Sequence, residues 1–202
     1  EDHGTHVAGI IGAADTDIGV APEVQIIGLD VMRKTQDGDF VAYDSDTEAA
    51  LQWVLGNHRQ YNILAVNMSI GSGFHSSSLT ARLNKSYSDE IIALEKAGVT
   101  VVSAAGNSYV TRGMQENSGS PGILSTLNVG AVYDERETVP YQTLIRSRQA
   151  GYAFELIGDE DSGPDRLPVF SQRPVASAAN TIFAPGAMIR STIPGNQTAD
   201  WP

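Results

Sequence analysis

Short apolar runs alternate with amphipathic ones along much of this 202-residue chain. "VQIIGLDVM" (24–32), "NILAVNMSI" (62–70), "VTVVSAAG" (99–106) and "LNVGAVY" (127–133) are rich in β-branched residues and almost continuously hydrophobic. Strands buried on both faces of a parallel sheet read this way. Between the first two lies "DTEAALQWVLGNH", in which Ala49, Ala50, Trp53 and Val54 form one helical stripe and Asp46 or Thr47 can cap the N-terminus. Between the next two, Ile91, Leu94 and Glu95 keep helical spacing, and Gly98 suits the position just past a helix end. Strand, helix, strand in repetition predicts right-handed crossovers. The expected fold is α/β, a doubly wound, mainly parallel sheet with helices on both faces in three layers.

The pattern changes between residues 134 and 174. "DERETVPY", "RSRQ" and "GDEDSGPDRLP" are polar and punctuated by Gly and Pro, around the strand candidate "YAFELIG" (152–158). This reads as an insertion or hairpin excursion from one domain spanning 1–202. "NTIFAPGAMIRSTIPG" (180–195) then predicts two short strands joined at Pro185–Gly186.

Composition narrows the function. With 24 acidic and 13 basic side chains the formal net charge is −11. So acidic a chain lacks the basic stripe that neutralises phosphates, which argues against nucleic acid and anionic membrane as partners. The absence of cysteine excludes a disulfide framework, a thiolate metal site and a cysteine nucleophile. No apolar run is long enough to span a bilayer.

Three stretches could carry chemistry. In "HGTHVAG" (3–9), His3 and His6 lie three residues apart and share a helical face approximately. The pair lacks the glutamate and the spacing of a zinc-binding HExxH helix, so a zinc hydrolase ranks low. One histidine suffices for proton transfer; two packed, hydrogen-bonded histidines are the structural alternative. Glycines at 4, 9 and 12 weaken an isolated helix, and make sense where its backbone must approach a neighbour closely. "AAGNS" (104–108) leaves a strand at the end where sites of parallel α/β sheets collect. There Asn107 could aim an amide at a developing oxyanion, or simply occupy a turn. "NMSIG" (67–71) could offer backbone to an extended peptide, or be a plain strand exit.

Taken in order, "HGTHVAGIIGA", "GVAPEVQIIGLDVM", "NMSIGSG", "VTVVSAAGN", "SPGILSTLNVGAV" and "FAPGAMIRSTIPGN" resemble the blocks of subtilisin-like serine proteases. The resemblance implies that His3 is the general base and acid of a Ser-His-Asp triad, His6 a structural residue, and Asn107 the oxyanion-hole side chain. It implies that Ser69, Ile70 and Gly71 pair with substrate. It also implies that Ala104, Ala105 and Gly106 form one wall of the primary specificity pocket, with Gly119, Pro121 and Gly122 near the other. By the same analogy Ser120–Pro121 is a candidate cis peptide.

Two departures qualify that picture. The family's triad aspartate precedes the histidine block, and its nucleophile follows the block seen here as "STIPGN". Asp2 adjoins His3 and is badly placed to orient it, while Ser171, Ser177 and Ser191 lack the Gly-Thr-Ser context. The chain therefore reads as a fragment truncated at both ends and inactive alone, from a secreted, extracellular or periplasmic endopeptidase. A pseudoprotease or peptide-binding module on the same fold is the alternative. The resemblance implies a polypeptide substrate as partner, a propeptide in the parent protein, and a monomer. The chemistry requires no cofactor. A structural calcium is conceivable, since Asp15 and Asp17 lie where the family wraps one, although "GAADTDIGVAP" is short for six to eight oxygens. "GDEDSGPD" (158–165) is a second acidic stretch, better read as a solvated loop.

Overall fold

The computed structural model describes residues 2–70, 72–75, 86–109, 118–120, 127–133, 141–146, 154–159, 164–168, 170–173, 180–187, 189–195 and 197–201. Its centre is a parallel sheet of β3 (Ala65–Met68), β5 (Thr100–Ala104), β7 (Leu127–Val132) and β10 (Thr181–Pro185), in spatial order β10-β7-β5-β3. Each neighbouring pair is parallel, so all four strands leave the sheet at the same end. Register is set at Met68↔Ser103, Ser103↔Asn128 and Thr181↔Asn128.

One face of this sheet carries the main core. Val66, Met68 and Val101 point toward α2 (Asp44–Asn57) and α3 (Ser88–Lys96), and meet Leu51, Val54, Tyr87, Ile91 and Leu94 there. Ile91, Leu94 and Val101 are wholly buried. Burial of each such side chain stabilises by about 1.5–3 kcal/mol. α3 ends as its sequence predicts: Gly98 takes φ +84°, and its N–H donates to the carbonyl of Glu95 at 3.0 Å. On the other face, Ala65, Asn67 and Ile182 are exposed, and Val102 and Val129 only half-buried.

α1 (Asp2–Gly12) packs instead on β11 (Ile189–Ile193), which forms an antiparallel hairpin with β12 (Gln197–Trp201). Its glycines behave as their spacing suggests. A Cβ on Gly9 would strike the hydroxyls of Ser191 and Thr192, and one on Gly12 would sit 2.9 Å from Val24 Cγ1. The chain after α1 folds back, so that the N–H groups of Val20 and Ala21 satisfy the carbonyls of Ile10 and Ile11 at 2.9 and 2.8 Å.

Three sequence expectations are corrected. Residues 24–31 are not a strand; only β1 (Met32–Lys34) is, and it pairs antiparallel with β2 (Phe40–Ala42). Val24, Ile26, Ile27 and Leu29 are 40–48% exposed. The run has strand composition, but a strand also needs a neighbour to complete its ladder, and no described strand pairs with 24–31. In α2 the buried face is Thr47, Leu51 and Val54, whereas Ala49 and Trp53 are exposed and Trp53 stacks on Tyr61. The N-cap of α2 is Tyr43, not Asp46 or Thr47. Asp46 is engaged by Arg33, and the Thr47 hydroxyl donates back to the Tyr43 carbonyl at 3.2 Å.

Within 134–174, β8 (Tyr141–Arg146) and β9 (Phe154–Asp159) form an antiparallel hairpin. The end of this segment is tied to the sheet. Tyr133 N–H donates to Arg166 O at 2.9 Å, and Ser171 Oγ accepts the Ala131 N–H at 3.0 Å. Phe170 packs with Tyr133 and Ala187 in a second small core.

Candidate active site

Two strand exits lie side by side. β3 ends at Met68, opposite Ser103 of β5, so Ser69 and Ile70 emerge next to Ala104 and Ala105. Ile70 packs against the main core, and the Asn67 amide donates to Ser69 Oγ at 3.0 Å. Both residues at 69–70 are half-buried. Beyond them β4 (Ser72–His75) pairs antiparallel with β6 (Ser118–Ser120), Ser72 opposite Ser120, which brings Gly119 to the same region. Gly71, Pro121 and Gly122 lie outside the described residues, as does the Ser120–Pro121 peptide bond.

The exit of β5 is tightly built. The Ala105 N–H donates to Val129 O at 2.9 Å, extending the ladder by one residue, and Ala105 is buried. Gly106 then takes φ +110°, a conformation that strains any side-chain-bearing residue. A Cβ there would also collide with the amide oxygen of Gln172. Asn107 follows at the tip of the turn, exposed. An exposed amide on a turn at the end of a parallel strand can donate to a negatively charged oxygen lying in front of the sheet.

β11 follows β10 after three residues, so α1 hangs from the exit of a strand that ends on the same side as β3 and β5. His6 is buried, its Nε2 3.3 Å from Ala199 O, and serves packing. His3, nearly one turn earlier, is exposed but crowded enough by protein for its pKa to fall below the ordinary value. Desolvation is the largest cause, followed by repulsion from His6 and from the chain's N-terminus. A neutral imidazole at neutral pH is the form that accepts a proton.

Neither described candidate serine is placed for nucleophilic attack. Ser171 and Ser191 are almost fully buried. Ser171 Oγ accepts from Ala131 N–H, and the Ser191 hydroxyl donates to His6 O at 2.7 Å. Ser177 lies outside the described residues. The candidate calcium loop holds Asp15 and Asp17. Both carboxylates are exposed, Asp15 Oδ1 accepts the Asp17 N–H at 3.0 Å, and among the described residues no group of three acidic or histidine ligands forms. Among the described residues no helix is long and apolar enough to cross a membrane.

Sequence reasoning missed the residues that contact Gly106 and Tyr109, on either side of Asn107 in the chain, namely Phe170, Gln172 and Arg173. They lie in a polar, Pro-containing stretch, and no local pattern marks them as part of a site.

A family model described as "Subtilase family" matches residues 1–201. Subtilisin DY of Bacillus licheniformis is 28% identical over 197 residues, covering 96% of this chain and 54% of that protein. Subtilisin E of Bacillus subtilis (strain 168) is 29% identical over 196 residues, covering 96% and 39%. Among solved structures, Sphericase aligns with a TM-score of 0.63 at 24% identity, over 100% of this chain and 58% of that one. The S41 psychrophilic protease gives 0.65 at 24%, over 99% and 57%. These likenesses establish the three-layer α/β fold. The chain spans about half the length, or less, of the curated relatives named.

Proposed function

The chain belongs to the subtilase family, and on that premise we propose that it supplies the proton-transfer and oxyanion half of a serine endopeptidase site. An extended polypeptide substrate lies along 69–71, its side chain entering a pocket walled by 104–106 on one side and the 119–121 region on the other. A serine hydroxyl attacks the scissile carbonyl while His3 takes its proton. Negative charge develops on the carbonyl oxygen, where the Asn107 amide donates to it. His3 then protonates the departing amine, and water releases the acyl group by the same path in reverse.

The observation that supports this reading best is the juxtaposition of Asn107, at the left-handed turn after β5, with Ser69 and Ile70 at the neighbouring exit of β3. The nucleophilic serine and the orienting aspartate come from outside residues 1–202, and these residues alone do not hydrolyse peptides. The burial of Ser171 and Ser191 supports that part. The protein is secreted or extracellular, acts as a monomer, and needs no cofactor for the chemistry.

The test is steady-state hydrolysis of a peptide p-nitroanilide by the protein as encoded. His3→Ala abolishes turnover above background. Asn107→Ala lowers kcat by about 10²–10³ with little change in KM, the size established for this family's own oxyanion asparagine. Turnover that survives His3→Ala refutes the mechanism. A wild-type protein that binds peptides without cleaving them, despite correct folding, favours a peptide-binding module instead.

A further inference from the structure

We propose that the dipeptide Gln172–Arg173 is the positioning element for Asn107, holding the 106–109 turn on both sides of the exposed amide. The inference rests on the oxyanion role of Asn107 and adds to it the means by which that side chain is aimed.

Asn107 sits at the surface, where an unrestrained turn would let its amide wander. Oxyanion stabilisation needs the donor fixed to within about 0.5 Å before charge develops. Upstream of Asn107, the Gln172 N–H donates to the Gly106 carbonyl at 2.9 Å. The Gln172 side chain, only 2% exposed, lies over the bare face of Gly106, with its amide oxygen where a Cβ would be. This contact and the left-handed φ of Gly106 belong together: only glycine fits beneath that amide. Downstream, the Arg173 guanidinium lies 4.3 Å from the centre of the Tyr109 ring. The Tyr109 N–H donates to Phe170 O at 3.2 Å.

The clamp is itself anchored. Arg173 Nη1 donates to the carbonyls of Pro168 and Ser171 at 3.0 and 2.6 Å, and Nη2 to Leu167 at 3.3 Å, so the guanidinium is fixed by its own loop. Ser171 Oγ takes the Ala131 N–H of β7, and Phe170 is buried against Tyr133 and Ala187. A continuous set of contacts therefore runs from β7 through 170–173 to residues 106 and 109. Asn107 lies between those two points along the chain.

The experiment measures kcat and KM for peptide p-nitroanilide hydrolysis by the protein as encoded. Gln172→Ala lowers kcat by about tenfold or more, since displacement of about 1 Å can cost as much as 10²-fold. KM stays within about twofold, because the loss falls on an interaction made in the transition state. Both variants keep the main-chain donor to Gly106, and Gln172→Met, which also covers Gly106 again, restores most of kcat. In an Asn107→Ala background Gln172→Ala changes kcat by less than about twofold, because the two act through one group. Equal losses in both backgrounds, or a loss confined to KM, overturn the proposal while leaving the oxyanion reading intact. If Asn107→Ala itself leaves kcat unchanged, the oxyanion reading fails and the proposal falls with it. Hydrogen exchange gives a readout independent of turnover. The Ser108 and Tyr109 amides exchange faster in Gln172→Ala than in wild type, and unchanged protection refutes the clamp.

Discussion

The hydroxyl of Ser191 donates to the main-chain carbonyl of His6 across 2.7 Å, and the Ser191 side chain is wholly buried. With the Thr192 hydroxyl on Thr5 O at 3.1 Å, it stitches α1 to a hairpin 185 residues further along the chain. Ser191→Ala leaves a buried carbonyl without that donor and lowers stability by about 1–3 kcal/mol. Urea denaturation measures the loss. A change below a few tenths of a kcal/mol would show that water or another donor replaces the hydroxyl.

Two glycines of one helix give opposite results on substitution by alanine. Helix propensity alone favours alanine by about 1 kcal/mol at each. At Gly4 nothing lies within 4 Å of the added methyl, so Gly4→Ala is neutral to stabilising. At Gly9 the methyl meets two side-chain hydroxyls and, at 3.0 Å, the backbone nitrogen of Thr192. The backbone cannot swing aside, and overpacking of this kind costs about 1–3 kcal/mol, more than propensity returns. Thermal melts of the two variants should therefore shift in opposite directions.

The pH response of His3 follows from its depressed pKa. Its ordinary value is near 6.5, and the folded state lies lower. As pH falls through this interval the unfolded chain takes up a proton before the folded one does, so folding loses stability. The loss begins around 6.5 and saturates below the folded pKa. Substitution of His3 by Gln removes that component of the acid sensitivity. NMR titration of the His3 ring in residues 1–202 should give a midpoint under 6.5, and a midpoint above 6.5 contradicts the prediction.

How much of this was legible depends on whether the signal was local. The apolar runs at 62–70, 99–106 and 127–133 contain β3, β5 and β7 because a strand covered by neighbours needs no polar alternation. Gly98 announced the end of α3 because a left-handed residue is a local demand. The run at 24–32 misled, since its composition is that of a strand but pairing is decided by what lies beside it. The stripe on α2 was misassigned in part: Val54 is buried as expected, but Thr47 and Leu51, not Ala49 or Trp53, accompany it. Asn107 could be picked out as a strand-end amide. Gln172 could not, because its importance comes from facing Gly106, 66 positions earlier in the chain, and no spacing rule spans that separation.

The apolar ribbon from Val24 to Leu29 has a practical consequence for handling the protein. It lies at the surface, and the outer margin of β3 carries no partner among the described residues. An unpaired strand edge and an exposed, greasy, β-branched segment each invite copies to zip together. Concentrated solutions should scatter light increasingly with time, and a lysine installed at position 26 should slow that growth.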